Sequence, residues 1–150
     1  CLLEGPLTFF HEGDGAYEAT LRRGQPTVSA EAKAFFDNMA GHYRRADLII
    51  CRAGATTVAE ITALGKAVIF IPFPYAADDH QMLNAADLAN DGAAEIIVEK
   101  KLNGKLLSQK IEYYMNHPDV LEAMATRAKR YGKPGAARDI VDDCYRLLGA

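Results

Sequence analysis

Small and polar residues follow an apolar run at residues 51–60, which read CRAGATTVAE. Small side chains let a ligand approach the backbone, and the N–H groups in the first turn of a helix attract anions. The stretch therefore predicts a phosphate or diphosphate site where a strand ends and a helix begins, near Thr56 or Thr57. Glu60, about one turn into that helix, is placed to accept hydrogen bonds from vicinal ribose hydroxyls.

A second interpretation of the same stretch needs no ligand. Thr57 and Glu60 have the spacing of a capping box, in which a Thr side chain and a Glu three residues later satisfy the helix's own N–H groups. Gly54 is the only glycine in the stretch, so it lacks the three-glycine fingerprint of dinucleotide-dependent oxidoreductases. Capping and ligand binding both remain open from this stretch alone.

Residues 71–81, IPFPYAADDHQ, form a second polar junction after an apolar run. His80 and Gln81 supply the mixture of donors and acceptors that sugar hydroxyls require. The alternative is that Asp78 or Asp79 caps a helix while His80 and Gln81 are solvated. We expect no metal site here, since sequential residues rarely converge on one ion.

The elements around these junctions alternate between strands and helices. The apolar runs 48–51, 67–71 and 94–98 are typical of strands buried on both faces of a parallel sheet, and weaker strands are expected at 7–10 and 31–35. Helical patterns cover 16–23, a short stretch through Met39 and Tyr43, 56–64, 80–90, 104–116, 119–130 and 136–148. This order predicts one α/β domain whose ligands bind at the carboxyl ends of the strands.

Composition excludes several classes of protein. The 150 residues carry 17 basic and 20 acidic side chains, a net charge of −3 that argues against a nucleic-acid partner. No apolar run approaches the length of a membrane-spanning helix. The three cysteines, an odd number without close spacing, predict neither a disulfide framework nor a zinc site.

Several motifs in one order resemble the C-terminal half of the MurG family, the bacterial peptidoglycan N-acetylglucosaminyltransferases. The resemblance covers about residues 7–148. The stretches that carry it are FFDNM at 35–39, CRAGATTVAE at 51–60, IPFP at 71–74, DHQ at 79–81, NA at 84–85 and GAA at 92–94.

The resemblance implies a Rossmann-like parallel sheet with flanking helices, the donor-binding half of a two-domain GT-B fold. It implies a UDP-N-acetylglucosamine donor and an inverting transfer that converts lipid I to lipid II on the cytoplasmic face of the membrane. No cofactor and no tightly bound metal are implied. The lipid I acceptor would be bound by an N-terminal domain that residues 1–150 do not include.

Family members also imply roles for particular residues. The backbone of Phe36 would meet uracil, Glu60 would hold the ribose, and His80 with Gln81 would contact sugar hydroxyls. The nucleoside and diphosphate would lie along one continuous stretch: Ala55, Thr56, Thr57, Val58, Ala59 and Glu60.

Catalysis needs more than these residues supply. An inverting transfer requires a base for the incoming hydroxyl and a clamp for the leaving UDP, and the sequence offers only part of the clamp. We therefore expect the chain to bind donor and to be inactive alone, as a truncated donor domain. Two alternatives stay open: a stand-alone binding subunit that acts with a partner chain, and a sugar-nucleotide epimerase of similar architecture.

Overall fold

A computed structural model describes the backbone of residues 2–4, 8–12, 29–33, 37–75 and 79–149, and the side chains of 37–75 and 79–149. The strands are β1 Leu2–Glu4, β2 Thr8–Glu12, β3 Ser29–Lys33, β4 Leu48–Cys51, β5 Ala67–Phe70 and β6 Glu95–Ile96. The helices are α1 Met39–Arg45, α2 Ala55–Leu64, α3 His80–Asn90, α4 Gly104–Asn116, α5 Pro118–Lys129 and α6 Ala136–Leu148, with a 3-10 turn at Glu99–Lys101. The helix expected at 16–23 lies outside the described residues.

The strands form one sheet in the order β3-β2-β1-β4-β5-β6. Strands β4, β5 and β6 are parallel, with Cys51 beside Phe70 and Phe70 beside Ile96. Strands β2 and β3 are also parallel, whereas β1 runs antiparallel to both of its neighbours. The α/β, Rossmann-like class is confirmed, with β1 as an antiparallel strand that the sequence did not predict.

Both faces of the central strands are buried, as their continuous apolar runs predict. On one face Ile49, Val68 and Phe70 pack against residues from α1, α2 and α3. On the other face Leu48 and Ile69 join a cluster that includes residues of α4 and α5. This two-sided core fixes β4 and β5 rigidly, and their carboxyl ends therefore make a firm base for the loops that follow.

Helix ends follow local rules at several points. Gly65 ends α2 in the left-handed conformation, with φ of 63°, and its N–H bonds to the carbonyls of Ile61 and Thr62. Asn103 caps α4 by accepting a hydrogen bond of 2.9 Å from the N–H of Leu106. Because such signals are local, the predicted bounds of the helices agree with the structure to within a residue or so.

Three expectations about local structure are corrected. The capping box is wrong because α2 begins at Ala55 after Gly54, which puts Thr57 inside the first turn; among described residues, no side chain caps this helix. The strand expected at 7–10 is observed as Thr8–Glu12, so His11 and Glu12 extend β2 beyond its expected end. Strand β6 is only Glu95–Ile96, because the chain turns into the 3-10 segment soon afterwards.

Helix α6 presents an apolar side to solvent. Its exposed side chains are Ile140, Val141, Tyr145, Leu147 and Leu148. Within the described ranges, neither this helix nor any other is long and apolar enough to cross a membrane.

Candidate functional site

The first part of the candidate site is the loop that joins β4 to α2. The N–H of Val58 makes the first hydrogen bond of the helix, 2.9 Å to the carbonyl of Gly54. The three preceding N–H groups, of Ala55, Thr56 and Thr57, have no acceptor among the residues that the structure describes. These donors point along the helix axis at its positive end, where an anion is stabilised.

Side chains around this helix end leave the donors accessible. Ala55 and Thr56 are exposed, and Thr57 and Val58 are half-buried. Glu60 is exposed in the second turn, and its carboxylate makes no hydrogen bond or ion pair with any described residue. The helix end therefore offers three backbone donors to an anion, with an exposed carboxylate one turn further along.

The second part of the site is the exit from β5 and the start of α3. The side-chain oxygen of Gln81 accepts a hydrogen bond of 2.9 Å from the N–H of Phe73. This bond fixes the orientation of the Gln81 amide, because only its oxygen can accept a hydrogen bond from an N–H group. The NH2 group of Gln81 is thus the half left to meet a ligand, as a donor.

Asp79 stands at the N-cap position of α3 in an unusual conformation. Its φ is 52°, in the left-handed region that few residues other than glycine adopt, and among described residues its side chain makes no capping bond. Aspartate is among the few residues that adopt this conformation as single positions, and it sets the direction in which the chain enters α3 directly before His80 and Gln81.

Two further side chains tie the exits of β4 and β5 together. The Asn84 amide nitrogen donates to the carbonyl of Ala53 at 3.2 Å, from α3 to the loop before α2. In the other direction, Arg52 donates to the carbonyls of Ile71 and Pro72 at 3.1 and 3.4 Å. The two polar junctions are therefore neighbours in space, as their positions after adjacent parallel strands predict.

Arg52 also reaches the segment that follows β6. It forms an ion pair with Glu99 at the start of the 3-10 turn, and its guanidinium lies 5.5 Å from the centre of the Phe73 ring. The Phe73 ring in turn meets Tyr75 edge-on, with 5.6 Å between their centres. Three consecutive strand exits are joined at one edge of the sheet.

Cys51 lies at the end of β4 beside the site but is not a nucleophile. Burial raises the pKa of the Cys51 thiol to about 12. At neutral pH the thiol therefore stays protonated, and only the thiolate is reactive. In the described part of the chain, no three His, Cys, Asp or Glu side chains converge as a metal site would require.

A separate cavity of about 530 Å³ lies between α3, β6, α4 and α5. Glu95 on its wall accepts a hydrogen bond of 2.6 Å from Tyr114 and pairs with Lys110 at 2.5 Å. Burial and this bond to Glu95 raise the pKa of Tyr114. None of the predicted site residues lines this cavity, so it is distinct from the candidate site.

Residues 9–140 match the profile of the glycosyltransferase family 28 C-terminal domain. The chain belongs to this family. The match covers the whole described core from β4 through α5, including both polar junctions.

Curated relatives in this family share close to half of the sequence. A protein of Syntrophus aciditrophicus is 51% identical over 150 residues, covering 98% of this chain and 41% of its own length. One of Myxococcus xanthus is 41% identical over 148 residues, covering 97% of this chain and 39% of its own. Both are named UDP-N-acetylglucosamine--N-acetylmuramyl-(pentapeptide) pyrophosphoryl-undecaprenol N-acetylglucosamine transferase. This chain spans about two fifths of their length.

Solved structures agree with the family. Acinetobacter baumannii MurG superposes with a TM-score of 0.78 at 41% identity, over 93% of this chain and 41% of that one. The glycosyltransferase VinC, solved in complex with DTDP, superposes with a TM-score of 0.57 at 18% identity, over 71% of this chain and 26% of that one. The second likeness shows the shared fold alone.

The structure brings most of the predicted site residues to one edge. Those on the β4 side are Ala55, Thr56, Thr57, Val58, Ala59 and Glu60, and those on the β5 side are His80 and Gln81. Phe36 lies outside the described residues. Sequence reasoning did not assign roles to Arg52, Asn84 or Glu99. Arg52 and Asn84 stand inside the motifs, but Glu99 is 47 residues from its partner and no local signal points to it.

Proposed function

We propose that this chain is the donor-binding half of an inverting N-acetylglucosaminyltransferase and binds UDP-N-acetylglucosamine. The observation that carries the proposal is the three N–H groups of Ala55, Thr56 and Thr57, which have no acceptor among the described residues and lie at the sheet edge where this fold binds ligands. A nucleoside diphosphate supplies the anion that these donors and the helix dipole favour. Family membership and the names of the relatives favour a UDP-sugar.

The remaining predicted residues divide the ligand among them. Glu60 accepts hydrogen bonds from the ribose hydroxyls. Its carboxylate is exposed and has no partner among the described residues, so it is available for this contact. Val58 and Ala59 complete the helix turn that carries it. The backbone of Phe36 meets uracil, a role that the resemblance alone supports. His80 and Gln81 face the sugar.

In this proposal Gln81 acts as a donor. Its oxygen is held by the Phe73 N–H, so its NH2 group donates to a hydroxyl oxygen of the N-acetylglucosamine. The hydrogen bond to Phe73 sets the angle of the amide before substrate arrives. A preset donor discriminates sugars by position without reorganisation.

The chemistry of transfer is shared with a second half that binds the acceptor. The helix end of α2 stabilises the negative charge that grows on UDP as the glycosidic bond breaks. We assign the base that deprotonates the acceptor hydroxyl to the other half, because the sequence of this chain supplies only part of the clamp for UDP and no base. The acceptor is lipid I, and the complete enzyme works as a peripheral protein on the inner face of the bacterial membrane.

Calorimetric titration of the 150-residue chain with UDP, UDP-N-acetylglucosamine and ADP tests donor binding. We expect the two uridine nucleotides to bind and ADP to bind more weakly. Equal affinity for UDP and ADP would argue against the proposal. Grafting this chain in place of the matching part of the Syntrophus aciditrophicus relative then tests transfer: the hybrid should transfer N-acetylglucosamine to lipid I, whereas the chain alone should not.

Glu60→Ala tests the ribose contact. Losing a hydrogen bond to a charged acceptor costs about 1.5–3 kcal/mol, so UDP should bind about 10- to 150-fold more weakly. Glu112→Ala, at an exposed position on α4, is the matched control and should leave affinity unchanged. Glu60→Ala should also lose the preference of the parent chain for UDP over 2′-deoxy-UDP. Unchanged UDP affinity in Glu60→Ala would remove Glu60 from the site.

A further inference from the structure

Arg52 occupies a central position at the sheet edge. Its Nη1 atom donates to the carbonyls of Ile71 and Pro72 and pairs with Glu99. It therefore connects the exit of β4, where it stands, with the exits of β5 and β6. All of these guanidinium contacts are made to other residues of the chain. The positive charge of Arg52 nevertheless lies on the loop that leads to the proposed diphosphate position.

Two different roles fit a cation at this place. One is a direct ligand for the diphosphate, for which Glu99 would be a competitor. The other is a brace that sets the loops and leaves the diphosphate to the backbone N–H groups. The geometry favours the brace, because the same nitrogen serves two backbone carbonyls that fix the chain immediately before Phe73.

We propose that Arg52 is a positioning residue that, together with Glu99, holds the β4 and β5 exits at the spacing needed for one ligand to meet both. The inference rests on the proposed donor-binding function. Through Pro72, Arg52 sets the place of the Phe73 N–H, which orients the Gln81 amide. Asn84 of α3 donates a hydrogen bond to Ala53 after β4, so a second contact links the loops that follow β4 and β5.

The Arg52–Glu99 pair acts as a unit in this proposal. Glu99 neutralises the guanidinium and holds it against the carbonyls, so removing either partner loosens the same loops. A direct phosphate ligand predicts the opposite sign for Glu99: freeing Arg52 would strengthen the binding of UDP. The two roles are thus separated by the direction of one change.

Titration with UDP compares Arg52→Ala, Glu99→Gln and the double variant with the parent chain. We expect about tenfold weaker binding for Arg52→Ala, a smaller loss for Glu99→Gln, and no further loss in the double variant. Arg52→Lys should restore part of the affinity, since an ammonium keeps the charge but lacks the guanidinium's reach. Arg146→Ala, which removes an exposed pair with Asp143 on α6, is the control and should have no effect.

Amide hydrogen exchange without any ligand tests the brace independently of donor binding. Arg52→Ala and Glu99→Gln should each speed exchange of the Phe73 N–H several-fold, with the amides of α5 unchanged. If the parent chain fails to bind UDP but exchange responds in this way, the proposed function fails and the brace stands. Unchanged exchange at Phe73, or tighter UDP binding by Glu99→Gln, would overturn the brace. The isosteric Glu99→Gln keeps the test valid should Arg52→Ala unfold.

Discussion

Replacing Gln81 by glutamate separates the two halves of its amide. Glutamate has the same shape and still offers an oxygen to the Phe73 N–H, which lies 2.9 Å from the oxygen of Gln81. It has no NH2 group, so a donor to the sugar is lost while the loop anchor remains. Gln81→Leu removes both and serves as the comparison.

The size of the effect follows from the bonds involved. A lost neutral hydrogen bond costs about 0.5–1.5 kcal/mol, and leaving a sugar oxygen unpaired against a carboxylate raises this toward 3 kcal/mol. We expect Gln81→Glu to bind UDP-N-acetylglucosamine about 2- to 150-fold more weakly than the parent chain. The affinity for UDP, which lacks the sugar, should fall less, although the negative charge of the new glutamate also repels the phosphates of UDP.

The assay is calorimetric titration of each variant with both nucleotides, together with amide exchange at Phe73. The informative quantity is the ratio of the two affinities, because it cancels effects on the shared UDP moiety. Gln81→Glu should lower the preference for the sugar nucleotide and keep the Phe73 amide protected, while Gln81→Leu should lose both. If Gln81→Glu kept the parental ratio, the NH2 group would have no contact with the sugar and the orientation argument would fail.

Two predictions concern packing and reactivity. In Gly132→Ala the new Cβ would lie 2.6 Å from the backbone oxygen of Thr62, so we expect the free energy of unfolding in denaturant to fall by about 1–3 kcal/mol. In Gly104→Ala the new Cβ meets nothing within 4 Å, so the free energy of unfolding should not fall. A similar loss of stability in both variants would contradict the packing argument. Because burial raises the pKa of Cys51 well above its usual range, its thiol stays protonated at pH 8. Iodoacetamide should therefore label the exposed Cys144 faster than Cys51 in the folded chain, as peptide mass spectrometry would measure. Equal rates at Cys51 and Cys144 would refute this.

Local signals were enough to find most of the elements. The apolar runs at β4 and β5 indicate strands covered on both faces, and the structure buries them between two clusters. Gly65 and Asn103 mark helix ends through their own backbone and side-chain bonds. Such features depend on neighbours a few residues away, so the printed sequence contains them.

The same reasoning located the two polar junctions at the carboxyl ends of strands, and the pairing of β4 with β5 brings them together. Parallel strands that are neighbours in a sheet end at one edge, so residues after β4 and β5 had to meet. What the sequence left open was the choice between capping box and ligand site at Thr57. The structure removed the capping box, because α2 starts at Ala55 and its N-cap residue is Gly54, which has no side chain to cap the first N–H groups.

Tertiary structure alone decided the features that depend on distant partners. The direction of β1 is set by pairing with β2 and β4, and three residues are too few to show a pattern. The orientation of the Gln81 amide depends on a backbone N–H eight residues away, across a turn. Arg52 meets Glu99 only because β6 lies beside β5. Sequence periodicity records which face of an element is buried, but it holds no record of which polar atoms meet after the sheet is assembled.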